Sequence, residues 1–403
     1  MKNINLVTKK ILAYNAKRNK NFIDLKYKAI SEGPHRFFRG TNHLFVEHIA
    51  KEPVLKNAPF TYVCGDMHLE NFGSYKGNSG LVYFDINDFD EACIAPCTFD
   101  LVKLCVSVYL MGEELKFSEQ ESLSICSSFI ESYKQAVLTG HAARLENACA
   151  KGIIKTFFNK VEKRKTKQFL KSKLFEQNKK LYIKSDFRKY YPLAKSEKQM
   201  LEKTLYKWVE ENKRDKDVYT FIDAAFRIAG TGSLGLNRYC VLVKDNKNDN
   251  YILLDIKQSE SIALAKLFAG KQIKYKSNAH RVVHTQKRMN DTAPAAFTTI
   301  QVEKEYYIFK KHRPQEDKFT LLAFKEEKAD FRKLIKELGN LLAWAQLRSS
   351  GLDGTATGDK LIDFVQTNKL NAVIPTAKKL YKQVLTDYKS YMQDYNSKNK
   401  SAV

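Results

Sequence analysis

Tyr62-Val63-Cys64-Gly65-Asp66-Met67-His68-Leu69-Glu70-Asn71-Phe72-Gly73 places a carboxylate, a histidine and an amide within six positions, directly after a short apolar run. It is answered by Tyr83-Phe84-Asp85-Ile86-Asn87-Asp88-Phe89-Asp90-Glu91-Ala92, which adds carboxylates at Asp85, Asp88 and Asp90. Acids packed this closely repel and raise one another's pKa unless a cation or a proton settles between them. A divalent metal is the simplest physical reason for such a set. Hard oxygen donors in this number suit magnesium or manganese and argue against zinc.

Working outward, Tyr62-Val63-Cys64 is short enough for a strand that delivers Gly65-Asp66 into a loop. Glycines and an asparagine between Ser74 and Gly80 signal a turn, and Leu81-Val82-Tyr83-Phe84 reads as the returning strand. The two acidic motifs are therefore expected side by side at strand ends. After Pro96, Phe99-Asp100-Leu101-Val102-Lys103-Leu104 opens an apolar helix, and a second helix is predicted from Ser118 to Leu138. Upstream, residues 1–56 read as helical with a break at Gly33-Pro34. Arg39, beside aromatics and Gly40, is placed either to meet a phosphate or to pair with a structural carboxylate.

From Val218 the texture turns to β. Phe226 to Ala229 leads into Gly230-Thr231-Gly232-Ser233-Leu234-Gly235, and Arg238 to Val243 and Tyr251 to Lys257 follow as strands around a turn. In a dinucleotide-binding fold the third glycine opens a helix and an acid some twenty positions on binds the ribose. Asp255 stands at that distance, but Arg238 to Val243 is β-branched and aromatic and leaves no room for the helix. The reading that survives is a glycine loop joining two antiparallel strands and covering nucleotide phosphates through Gly230, Gly232, Ser233 and Gly235, with Lys257 on a later strand. A helix around His280 to Met289 and a strand at Tyr306 to Lys310 complete a small α+β unit. Helices return from Asp317, where Phe331, Leu334, Ile335, Leu338, Leu341, Leu342 and Ala345 keep the 3.6 period. A tyrosine stripe at 381, 388, 391 and 395 is expected to dock the last helix on the core.

The chain's 403 residues, 43% of them apolar, allow two or three compact units with a substantial core. Seven scattered cysteines read as free thiols of a reducing compartment. No apolar run reaches the length of a membrane span, and Met1 to Asn21 lacks the apolar region of a signal peptide, so the expectation is a soluble, cytoplasmic protein. Sixty-nine basic against 45 acidic residues give a net +24 and favour polyanionic partners. Residues 151–189 concentrate this charge among aromatics. They are a candidate polyanion or RNA surface, although an amphipathic helix with a solvated basic face accounts for the same pattern.

Gly65-Asp66-x-His68-x-x-Asn71 resembles the catalytic loop of the aminoglycoside phosphotransferase and choline kinase branch of the protein-kinase-like superfamily. Asp88-Phe89-Asp90 resembles that branch's metal-binding motif, and Asp100-Leu101 its buried aspartate before a helix. Over nearly the whole chain, including Phe38-Arg39-Gly40, Arg281-Val282-Val283 and Leu347-Arg348-Ser349, the sequence also resembles a bacterial family of uncharacterised proteins catalogued as domain of unknown function twenty-two fifty-two.

The superfamily resemblance implies Asp66 as catalytic base or hydroxyl-orienting group and His68 as a residue that orients the loop. It implies Asn71 and Asp88 as magnesium ligands, Asp85 and Asp90 as further ligands or backbone caps, and Asp100 as support for the loop. ATP and Mg2+ are the implied cofactors. In that superfamily the glycine loop precedes the catalytic loop, whereas Gly230 here follows Asp66 by more than 150 residues. A circular permutation reconciles the two, since connectivity can change while packing survives.

The expected fold is thus α+β, two-lobed, kinase-like and circularly permuted. Residues 1–217 and 313–403 would form a mainly helical large lobe and 218–312 a small β-rich nucleotide lobe. Glu260 and Gln286 both remain as acidic or polar partners for Lys257. The expected function is phosphoryl transfer from ATP to an unknown small-molecule or protein hydroxyl, with AMP transfer by the same site or non-catalytic RNA binding as alternatives.

Overall fold

The computed structural model describes residues 4–212 and 218–400, the last three of them as backbone alone, and shows a mixed α+β architecture. Four short strands frame the acidic stretches: β1 (Phe60–Val63), β2 (Phe72–Lys76), β3 (Val82–Ile86) and β4 (Cys93–Pro96). The returning strand pairs with β2, and β1 pairs with β4. Gly77 and Gly80 close the β2–β3 turn through the bonds Gly77 N–H to Leu81 O, 3.0 Å, and Gly80 N–H to Gly77 O, 3.2 Å. That tight turn brings the residues just before it against β3 and leaves β1 for β4. The pairings Val63 with Cys93 and Phe72 with Ile86 then close residues 64–71 and 87–92 into neighbouring loops.

Behind these loops lies the helix Thr98–Glu114, which is buried along nearly its whole length. It packs on the helix Glu119–Leu138 and the C-terminal helix Val373–Lys400. The periodic stripe Phe331 to Ala345 is buried in the helix Lys328–Arg348, and Tyr391 is buried with Tyr381, Tyr388 and Tyr395 packed against the same core.

The hairpin β5 (Leu174–Gln177) and β6 (Lys180–Ile183) precedes a six-stranded antiparallel sheet. Its strands are β7 (Tyr190–Pro192), β8 (Tyr219–Arg227), β9 (Arg238–Asp245), β10 (Asn250–Gln258), β11 (Thr298–Val302) and β12 (Glu305–His312), in the order β11-β12-β10-β9-β8-β7. Side chains alternate between the two faces, as a pleated strand requires. Val241, Val243, Leu254 and Ile256 join Leu201, Leu205 and Trp208 of the helix Lys195–Glu211 in one cluster. Cys240, Leu242 and Leu253 join Leu174 and Ile183 of the hairpin in another. The sheet and its packing helix thus begin before residue 218, because the apolar stripe of 195–211 needs the sheet to bury it. The expected boundary at residue 217 itself lies outside the described residues.

The basic stretch 151–189 is two helices, Gly152–Glu162 and Thr166–Lys173, followed by the β5–β6 hairpin. Phe157 and Phe158 are core, as an amphipathic helix predicts, while Phe175 and Phe187 are 40% and 64% exposed. Among the described residues no helix is long and apolar enough to cross a membrane. All seven cysteines are free, and six of them are buried.

Candidate active site

Three polar residues on one face of the buried helix Thr98–Glu114 hold the first loop. Asp100, Lys103 and Ser107 are spaced three and four apart, so they line one side of the helix. Asp100 accepts the backbone N–H groups of Cys64 at 2.8 Å and Gly65 at 3.1 Å. Lys103 Nζ lies 3.1 Å from Asp66 Oδ1, and Ser107 Oγ accepts the Leu69 N–H at 3.1 Å. Burial raises the Asp100 carboxyl to about 6 even against those two donated N–H bonds. The sequence offered one signal for Lys103: it is the one cation in the helical run from Phe99 to Met111, whose other polar side chains are Asp100, Ser107 and the Tyr109 hydroxyl.

Asn71 joins the two loops. Its Nδ2 donates to the carbonyls of Asp66, 3.1 Å, and Asp88, 3.0 Å, while its Oδ1 accepts the Asp88 N–H at 2.7 Å. Arg281 ties the second loop down from the other side, donating to the carbonyls of Ala92, Asp90 and Glu260. His68 has Arg39 Nε 3.2 Å from its Nε2 and the Glu70 N–H at its Nδ1, and it sits 3.9 Å from Asp66 Oδ2. Burial and the Arg39 charge push its pKa well down, which keeps the ring neutral. Arg39 is held by an ion pair with Glu70.

The glycine loop joins antiparallel β8 and β9. Its two ends are pinned together by Asp255 of β10, which accepts from Arg227 at 2.7 Å and from Arg238 at 2.8 and 2.6 Å. Asp255 is therefore a buried structural acid. The loop's carbonyls are held by the N-terminal segment: Arg18 donates to Gly232 O and Leu234 O, and Lys26 to Gly232 O, each at 2.7 Å. Gly235 has φ +84, and a Cβ there would stand 3.1 Å from Arg18 Cβ, so this position needs glycine.

Loop and acids share one cleft. Gly230, Gly232 and Ser233 line it together with Arg39, Asp66, His68, Asp88, Asp90 and Glu91, and it opens partly to solvent. Gly235 and Lys257 line an adjoining hollow. Lys257 forms an ion pair with Asp90 and lies 3.7 Å from Asp88. Its partner is thus neither Glu260, which pairs with Arg18, nor the buried Gln286. Both rivals were nearer in sequence or on the expected helix, while the true pairing depends on the β3–β4 connection folding under β10.

The scan against family models matches residues 18–394 to a family described as uncharacterized protein conserved in bacteria (DUF2252). The chain belongs to this family. No curated protein and no solved structure matches the chain.

Within this family member, Asp85 stands apart from the other acids. It is buried, does not line the cleft, accepts the Ile86 N–H at 2.8 Å, and lies near Asn290 and Arg348. Of the two roles expected of it, metal ligand or cap to a neighbouring backbone amide, the bond from the Ile86 N–H is the second.

Asp88 and Asp90 differ in environment. Against the partial burial of its carboxylate, Lys257, the Asp90 N–H and Arg238 pull the half-exposed Asp88 below its ordinary value, whereas burial, with repulsion by Asp88 added, raises Asp90. Among the described residues no group of three or more His, Cys, Asp and Glu side chains is placed to hold a metal alone. Magnesium does not require one: it binds through one or two carboxylates, waters and substrate phosphates. Asp88, with its side chain 54% exposed beside the glycine loop's cleft, fits that use. Asn71 Oδ1 already accepts one hydrogen bond and has a single lone pair left for an ion.

Proposed function

We propose that the cleft binds ATP with magnesium and transfers its terminal phosphoryl group to a hydroxyl, in a two-lobed kinase-like arrangement reached by circular permutation. The observation that carries this reading is the meeting of Lys257, from the adjoining hollow, with Asp90 and Asp88 at the edge of the cleft lined by Gly230, Gly232 and Ser233. Phosphoryl transfer depends on positioning and on neutralising phosphate charge, and a glycine loop, a lysine and a metal-holding carboxylate supply both. Bound magnesium would offset charge on the donor phosphates.

Asp66 takes the proton of the acceptor hydroxyl as that oxygen bonds to phosphorus and the bond to the β–γ bridging oxygen breaks. Burial raises its carboxyl despite Lys103, which moves a general base toward neutral pH. Asn71 and the Asp100, Lys103 and Ser107 face keep Asp66 and Asp88 in register. The buried thiols Cys64, Cys93 and Cys97 beside these loops favour a reducing compartment such as the cytoplasm.

The test is label transfer from ATP carrying radioactive phosphorus at the α or γ position, with magnesium, to an extract of small metabolites. Product labelled from the γ position, reduced roughly 10²–10⁴-fold in Asp66→Ala, supports phosphoryl transfer. Label arriving from the α position assigns AMP transfer instead, and no Asp66 dependence removes that residue from the mechanism.

A further inference from the structure

Tyr14, Asn42, His43 and Glu91 line the same cleft as Asp66 but have no part in the roles above. Asn42, His43 and Glu91 each carry buried polar atoms without a partner. His43 is 5% exposed and stacks on Tyr14 with ring centroids 4.0 Å apart, and neither of its ring nitrogens has a hydrogen bond. Asn42, also 5% exposed, donates to the Gly65 carbonyl at 3.0 Å while its Oδ1 accepts from nothing. Glu91 Oε2 is buried and equally unsatisfied. Buried polar groups in folded proteins are nearly always paired, so several unpaired ones around one cavity call for a ligand or water that completes them.

The chemistry of the gap is specific. Asn42 Oδ1 only accepts, the Glu91 carboxyl accepts and, when protonated, also donates, and a neutral imidazole offers one donor and one acceptor. The complement must both donate and accept, which hydroxyl groups do because each can serve as either. Burial, then the charges of Lys26, Arg18 and Lys10, hold the His43 ring neutral with a pKa near 3.

We propose that this wall is the acceptor subsite, and that it takes a small, multiply hydroxylated molecule, one hydroxyl of which reaches Asp66. The proposal rests on the phosphotransferase reading and adds the class of acceptor to it.

Saturation-transfer difference NMR on the full chain with magnesium and a non-hydrolysable ATP analogue tests it, using glycerol, ribitol, glucose and myo-inositol as neutral probes and ethanolamine and spermidine as cationic ones. At least one neutral probe binds, and Glu91→Gln and His43→Phe each weaken it tenfold or more, with folding checked by circular dichroism. Glu91→Gln is isosteric and decides the matter if His43→Phe does not fold. Binding of the amines alone, undiminished binding in the variants, or no polyol binding to a protein that holds the nucleotide overturns the acceptor subsite and leaves the nucleotide reading intact. Failure of the unsubstituted protein to hold the nucleotide overturns both. A crystal soaked in the bound polyol that shows only water at Asn42, His43 and Glu91 also contradicts the proposal.

Discussion

Lys103 Nζ, wholly buried, lies 3.1 Å from Asp66 Oδ1 and 3.9 Å from the centroid of the Phe38 ring. The ammonium therefore has one anionic partner and otherwise aromatic walls, with Phe45 at 4.5 Å. Such a cation cannot be removed without consequence for the carboxylate that faces it. Lys103→Met leaves Asp66 unpaired, which costs on the order of 3 kcal/mol of stability for a broken buried pair. It also raises the Asp66 pKa further, so the acid limb of any activity profile shifts to higher pH. Urea denaturation and a pH–rate profile check both; unchanged stability with an unmoved limb would separate Lys103 from Asp66.

Asp85 predicts a distinct pH signature. Burial lifts its carboxyl from an ordinary 3.8 to about 6. Between those values the unfolded chain has released a proton that the folded chain keeps, so this group lowers stability as pH rises from about 4 to 6 and adds no further change above. Asn at this position keeps the bond from the Ile86 N–H but does not titrate. The stability of Asp85→Asn relative to the unsubstituted protein should rise by on the order of 3 kcal/mol across that window. Denaturation at several pH values measures it, and a difference independent of pH would contradict the assignment.

Much of this arrangement was legible in the sequence, and the reasons are local. β-branched runs flanking a glycine cluster specify a loop between antiparallel strands, and the segment from Val218 to Lys257 folds as strand, loop, strand, turn and strand. The stretch 64–71 is a loop after a strand for the same kind of reason. What the sequence withheld depends on contacts between distant segments. Nothing near Lys257 marks Asp90 as its partner, and nothing near Arg18 or Lys26 shows that they hold carbonyls some 200 positions away. The strands Phe72–Lys76 and Cys93–Pro96 are too short and irregular to announce themselves by alternation, so the pairing of β1 with β4 was not foreseen.

Gly65 has φ +72, and a Cβ there would come within 2.0 Å of the Glu91 carbonyl oxygen, a backbone atom that cannot step aside. Gly65→Ala should lose more than the ~1–2 kcal/mol that the left-handed conformation alone costs a side chain, and should abolish turnover. Gly270→Ala meets nothing within 4 Å and serves as the control, with stability changed by no more than about 0.5 kcal/mol. Thermal denaturation of the two variants side by side distinguishes a steric requirement from a general sensitivity to losing glycine.

Lys257 neutralises Asp90 and approaches Asp88. Lys257→Met should raise the dissociation constant for ATP with magnesium roughly 10–100-fold, as expected when a charge-assisted contact worth about 1.5–3 kcal/mol is lost. Titration of a fluorescent ATP analogue reads this directly, and an unchanged affinity would exclude Lys257 from phosphate contact.

The account's central claim is that the glycine loop and Asp88 hold a magnesium nucleotide between them. Isothermal titration calorimetry of ATP, with magnesium and with EDTA, on the unsubstituted protein and on Asp88→Ala tests it most directly. The account predicts saturable binding that requires magnesium and is lost in Asp88→Ala. Binding equal with and without the metal, or equal in the two proteins, would contradict it.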